Sequence, residues 1–260
     1  MTIRFGPGGL GGVKEAVANL EEYHKLGIKA CEIEFTYGVY IRENDPEVEK
    51  IRETAKKLDI KLSIHAPYYI NLNSNEKKKI EDSKKRILDC CRVGEKLGCY
   101  VVVFHPGFYG KLDKETTYEN IKKAVEEIQT ELRKEKLKIK IAPETTGKIN
   151  VFGSVDEIFR LMKETNCFLT VDFAHLLARE QGKISYKEIY EKFKHLPELH
   201  CHFSGIEWTS KGERNHKITS EIELRKLLEV LPRNKDIVII NESPSPVEDS
   251  VKALTIWKKI

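Results

Sequence analysis

Six ionisable side chains stand at or near the ends of apolar runs. His65 closes IKLSIH, His105 closes YVVVFH, Glu144 closes LKIKIAPE and Asp172 closes CFLTVD. His202 falls in LHCHF and Glu242 closes DIVIINE. His175 follows Asp172 by three residues, and His216 lies in a loop beyond His202. A lone histidine or carboxylate at the end of a strand is ordinarily a turn cap or a core hydrogen-bonding group. Six of them gathered at one place are costly in desolvation and repulsion unless cations hold them. Imidazole nitrogens mixed with carboxylate oxygens suit zinc, and also manganese or iron, better than magnesium or calcium. Eight candidate ligands exceed the need of one ion. Two or three ions sharing a bridging carboxylate would use them. Clustered divalent ions favour in-line displacement at phosphorus, because both the attacking and the leaving oxygen can be neutralised.

For these groups to meet, the chain must bring the strand ends together. Short β-branched runs recur at 2–5, 31–35, 60–65, 100–105, 137–144, 167–172, 199–203 and 236–242. Charged stretches with apolar residues every three or four positions lie between them, for example at 13–26, 47–58, 77–97, 118–134 and 247–257. That spacing predicts amphipathic helices. Strand and helix alternating about eight times predicts an α/β fold: a single-domain (β/α)8 barrel over 1–260, with a metal site at its C-terminal mouth. An open doubly wound sheet is the runner-up, but GPGGLGG lacks the GxGxxG spacing before a helix. The two-residue period of a strand sorts the side chains. Ile60, Leu62, Ile64, Ile139 and Ile141 face the helices, while Ser63, His65, Ala142 and Glu144 face the axis. Glu32, Lys61 and Lys140 share the inward parity, so at least one internal Glu–Lys pair is expected. Cys201 points away from the axis.

Composition narrows the classes further. A net charge of +4 permits a polyanionic partner without demanding one. No apolar run approaches 20 residues, so no membrane-spanning helix is expected. MTIRFGPGGLGG lacks the apolar stretch of a signal peptide. Six scattered cysteines without a CxxC motif predict reduced thiols and a cytoplasmic location. The basic run KKKIEDSKKR (77–86) reads as a solvated helix face.

The ordered motifs resemble those of the endonuclease IV (AP endonuclease family 2) proteins of the xylose-isomerase-like barrel superfamily. HAPYYINL (65–72), HPG (105–107), PETTG (143–147), VDFAH (171–175), HFS (202–204) and NESP (241–244) carry the resemblance. It implies a trinuclear zinc site, a monomer, and damaged double-stranded DNA as partner. The implied reaction is hydrolysis of the phosphodiester 5′ to an abasic sugar. By the same resemblance, His65 and His105 with bridging Glu144 hold one ion. Asp172, His202, Glu242 and Glu144 hold a second, and His175 and His216 a third. Glu144 also orients the nucleophile. Tyr68 matches a residue that enters the DNA gap, and Tyr40 falls near the place of the other.

Three departures stand out. The family's aspartate two residues before its last histidine is Arg214 here, with Glu213 adjacent. Arg214 is then a candidate phosphate contact. Gly205 replaces the aspartate of an Asn-Asp-Ser motif, and no arginine occupies the place of Tyr40. The alternative is a single-metal sugar isomerase or epimerase of the same superfamily. Such an enzyme needs Glu144, Asp172, His202 and Glu242, but not the other four histidines as a set. A DNA- or metal-binding protein without activity is a further alternative, disfavoured by the intact Glu144, Asp172 and Glu242.

Overall fold

The computed structural model describes residues 3–260. Thr2, the expected first residue of the opening strand, lies outside the described residues. Seven parallel strands follow one another as β1 (Ile3–Pro7), β2 (Ala30–Glu34), β3 (Lys61–His65), β4 (Val101–Phe104), β5 (Lys140–Pro143), β6 (Thr170–Asp172) and β7 (Glu198–Phe203). A hairpin of β8 (Gly205–Thr209) and β9 (Gly212–Lys217) follows, and β10 (Asp236–Asn241) is the eighth parallel strand. The ladders run β1-β10-β7-β6 and β2-β3-β4-β5. Parallel bridges Gly8–Glu32 and Glu144–Thr170 join the two sheets on both sides, closing the ring.

Helices α1 (Ala16–Lys25), α2 (Pro46–Leu58), α3 (Lys77–Leu97), α4 (Lys114–Lys134) and α5 (Val155–Thr165) pack outside the strands. They are joined by α6 (Phe173–Arg179), α7 (Tyr186–Phe193), α8 (Glu221–Leu228) and α9 (Pro246–Trp257). Local chemistry sets their starts. Asp45 caps α2 with Pro46 in its first turn, and Ser154–Glu157 and Ser185–Glu188 form capping boxes on α5 and α7. Among the described residues, no helix is long and apolar enough to cross a membrane.

The expected parity holds. Ile60, Leu62, Ile64, Ile139, Ile141 and Cys201 belong to the large apolar layer between strands and helices. Burying each aliphatic side chain there stabilises the fold by about 1.5–3 kcal/mol. Small inward residues form separate clusters inside the ring, Ala30 with Val238 and Ile240, and Val101 with Val103 and Ala142. All six cysteines are buried and unbridged. The lysines of 77–86 pair along and between helices, for example Lys85 with Asp89 and Lys84 with Glu127.

The internal Glu–Lys pair takes a different form. Lys61 is the first residue of β3 and Lys140 the first of β5, so both leave by the base of the barrel. There they meet Glu198, Lys61 at 4.0 Å and Lys140 closer. Glu32 sits higher, level with Ser63 rather than Lys61, and is buried against two histidines.

Candidate metal centre

Barrel strands, at or just past their ends, deliver His65, His105, Glu144, Asp172, His202 and Glu242, whereas His175 lies in α6 and His216 in β9 rather than in a loop. Asp172 links strand to helix. Its Oδ1 accepts the His175 N–H at 2.7 Å and so caps α6. Its Oδ2 is buried without a hydrogen-bond partner. One oxygen starts the helix that carries His175, and the other is left for the site.

Glu144 is the hub and is fully buried. Its Oε2 lies 3.2 Å from His65 Nε2 and 3.0 Å from His105 Nε2. Its Oε1 lies 3.2 Å from both His175 Nδ1 and His202 Nδ1. His202 Nδ1 is also 3.2 Å from Glu242 Oε1. Two atoms each about 2.1 Å from one ion, at tetrahedral or right angles, stand about 3.0–3.4 Å apart. The His65, His105 and His202 separations are therefore those of ligands sharing a cation. The donor atoms form three rim groups, each within 4.8 Å: His65, His105 and Glu144; Glu144, Asp172, His202 and Glu242; His175, Glu213 and His216.

Carbonyl partners fix two of the rings. The Ala66 carbonyl can only accept, so His65 Nδ1 donates to it at 2.7 Å and Nε2 is the nitrogen turned to Glu144. His175 Nδ1 likewise donates to the Thr145 carbonyl at 3.0 Å, leaving Nε2 3.5 Å from Glu213 Oε2. His216 Nδ1 is held by Ser204 Oγ at 2.8 Å, with Nε2 4.0 Å from Glu213 Oε1.

Charge at the rim is finely set. Burial pushes the Glu144 carboxyl up, but the His202 and His105 rings outweigh it and hold the group well below the carboxylate range. Glu242 likewise ends at about 2, burial being overcome by His202. Asp172 is raised by burial, which His175 only partly offsets. Burial disfavours a charged His65, yet Glu144 raises it to about 9. Burial opposes charge on His175 and His202 too, but Asp172 and Glu242 respectively lead the carboxylates that carry both well above the usual imidazole range. Glu34, at the end of β2, is raised to about 7 by burial and by Glu242. Protons on imidazoles thus balance the carboxylates, and a cation must displace them to bind. The unpartnered Asp172 oxygen, the donor separations and the mixed nitrogen and oxygen set all fit divalent ions.

The β8–β9 hairpin decides the third group. Ile206 pairs with His216 and Glu207 with Asn215, but Trp208 pairs with Glu213, leaving Arg214 as an extra residue. This one-residue bulge shifts the parity of the strand. Glu213 therefore comes to the His175–His216 side, where plain alternation sets Arg214. Arg214 is 64 % exposed, with its guanidinium 3.4 Å from Glu207. Gly147 makes room for Glu213, because a β-carbon there would lie 2.6 Å from Glu213 Cβ.

A cavity of about 290 Å³ opens above the rim. Its walls include Tyr68, Phe108, Val151 and Lys148. Arg179, one turn beyond His175, holds the loop that bears Lys148 by donating to the carbonyls of Thr146, Lys148 and Val151 at 3.3, 2.7 and 3.0 Å. Tyr37, Tyr40, Tyr68, Tyr69 and Phe108 are exposed aromatics, Tyr37 almost fully. Tyr40 is tethered, its hydroxyl donating to the Gly11 carbonyl at 3.0 Å.

Two members of the site are not singled out by motif reading. His200 shares the inward parity of His202, two residues away, and Glu32 that of Glu34. Alternation was the only signal for either.

Comparison with known proteins agrees with this architecture. The chain is 37 % identical over 250 residues to an uncharacterized protein of Methanocaldococcus jannaschii, covering 91 % of this chain and 89 % of that one. It is 27 % identical over 183 residues to an apurinic-apyrimidinic endonuclease of Caenorhabditis elegans, covering 65 % of this chain and 45 % of that protein. The fold matches endonuclease IV of Thermus thermophilus with a TM-score of 0.74 at 23 % identity, over 98 % of both chains. It also matches a D-psicose 3-epimerase with a TM-score of 0.71 at 16 % identity, over 100 % of this chain and 99 % of that one. The profile of one family matches residues 20–260, and the chain belongs to that family, the xylose isomerase-like TIM barrel.

Proposed function

We propose that this chain is a metal-dependent phosphodiesterase that incises double-stranded DNA 5′ to abasic sites, with two or three zinc ions at the barrel mouth. One observation carries the reading. Glu144, Asp172, His202 and Glu242 already suffice for one ion, yet two further donor groups flank them. A single-metal reaction has no use for His65 and His105 on one side, or His175, Glu213 and His216 on the other. The apurinic-apyrimidinic endonuclease among the relatives, matched over about half its own length, supports the same reading.

In this reading the bound ions would neutralise phosphate oxygens and acidify water. The chain's own residues do the rest. Glu144 holds the first two donor groups together and orients the attacking water. Exposed Tyr68, with its ring 5.5 Å from His65 and 6.2 Å from His105, would stack in a gap beside the reacting phosphate. Lys148 and the neighbouring Lys211 and Lys217 supply phosphate contacts. Exposed Tyr40 and Arg214 would serve as contacts to the DNA flanks.

A single-metal epimerase is the second reading. The four-residue group and a cavity at the small end of ligand pockets favour it. A duplex with one abasic analogue separates the two. Nicking 5′ to the analogue is expected, abolished by a strong chelator. Glu144→Gln removes the carboxylate shared by two donor groups at the reacting centre, so its nicking rate is expected to fall by roughly 10³-fold, about 4 kcal/mol of activation free energy. Intact DNA together with metal-dependent ketose turnover would establish the epimerase instead.

A further inference from the structure

Below the rim, a line of buried polar groups runs down the barrel axis. His202 Nε2 faces Glu32 Oε1 at 2.9 Å. Glu32 Oε2 is 3.0 Å from His200 Nε2, and His200 Nδ1 meets the Tyr100 hydroxyl. Glu32, His200 and His202 are fully buried. Tyr100 reaches the base, where the Lys61 ammonium lies 3.9 Å from its ring centroid.

We propose that Glu32, held by His200 and Tyr100, is the positioning residue for His202: it fixes the hydrogen on Nε2 and thereby turns the Nδ1 lone pair toward Glu144 and Glu242. The donors align in one consistent direction. A carboxylate only accepts, so both histidines must present N–H to Glu32. His200 Nδ1 is then an acceptor, and the tyrosine O–H is its donor. Every proton has a place without a cation in the chain itself. The His202–Glu32 contact is close but not aligned as a hydrogen bond. Ligation at Nδ1 makes the opposite N–H more acidic, which strengthens the bond to a carboxylate and orients the ring. Alternation makes this arrangement cheap in sequence, since the HCH of β7 puts the ligand and its brace two residues apart on one face.

The inference rests on the rim being a metal centre, but not on its substrate. The test is zinc competition against a chromophoric chelator, starting from metal-free protein, with thermal melting as a fold control. Removing such a brace costs about 10–100-fold in affinity. Glu32→Leu is expected to weaken one zinc ion by that factor and spare the others. The isosteric Glu32→Gln should lose less, because an amide still offers one acceptor, and Tyr100→Phe least. Histidine nitrogen NMR of the zinc-loaded wild type should show His202 protonated at Nε2, a signature a packing role does not produce. Unchanged zinc affinity in folded Glu32→Gln and Glu32→Leu, or an Nδ1–H His202, overturns the brace while leaving the metal centre standing. Loss of a whole ion with the rim ions at full affinity overturns it too, by placing a cation among Glu32, His200 and His202. Wild-type protein that takes up no zinc removes the metal centre and the brace together.

Discussion

At the base of the barrel, Lys61 and Lys140 close on Glu198, all three partly exposed. At the mouth, Glu144, Asp172 and Glu242 stand among His65, His105, His175, His202 and His216. Among the described residues, no lysine or arginine comes within 4 Å of those three carboxylates. Both ends carry ionisable groups on the same strands, yet only the base is neutralised by permanent charges of the chain. The mouth depends on imidazole protons, which a divalent ion can replace. A protein that needed its rim only for stability could have closed it as the base is closed. The difference supports placing the proposed chemistry at the mouth rather than at the base.

Substitution at the third donor group sharpens that contrast most. Glu213→Ala removes the carboxylate of the His175–Glu213–His216 group, so affinity for one zinc ion should fall by at least about 10-fold. Arg214→Ala, one residue away but on the bulge, should leave zinc affinity within about 2-fold, well below that loss. Chelator competition measures both, and equal effects would show that the bulge does not set the ligand.

Acidity gives the next effect. His65 rises from 6.5 to about 9 in the folded protein. A raised imidazole contributes stability that is fully present below its unfolded value and disappears as pH climbs through the folded one. Metal-free protein should therefore lose melting temperature between about pH 7 and 9. Zinc-loaded protein should not lose it over that window, because the cation has replaced the proton. The smallest effect belongs to the base. Lys140→Met breaks a partly exposed pair worth about 0–1 kcal/mol and should leave both zinc affinity and the pH profile unchanged. A Lys140→Met profile that changed like the rim's would erase the distinction between the two ends.

The barrel was legible because it rests on periodicity. β-branched runs and amphipathic helices such as Lys77–Leu97 follow from spacing alone, and strand ends then place His65, His105, Glu144 and Asp172 at one rim. The hairpin was not legible in the same way. Its bulge at Arg214 inserts one residue into a ladder, and alternation read straight through GERNHK puts the wrong side chain inward. Glu32 and His200 obey alternation, but their pairing joins residues 168 positions apart and depends on height in the barrel, which spacing does not encode. The same blind spot explains why Glu32 meets histidines rather than lysine.

Zinc content per chain tests the central claim most directly. Protein saturated with zinc, freed of excess and weighed intact by native mass spectrometry should carry two or three ions, matching the three rim groups. One ion per chain, or none, would contradict a clustered metal centre.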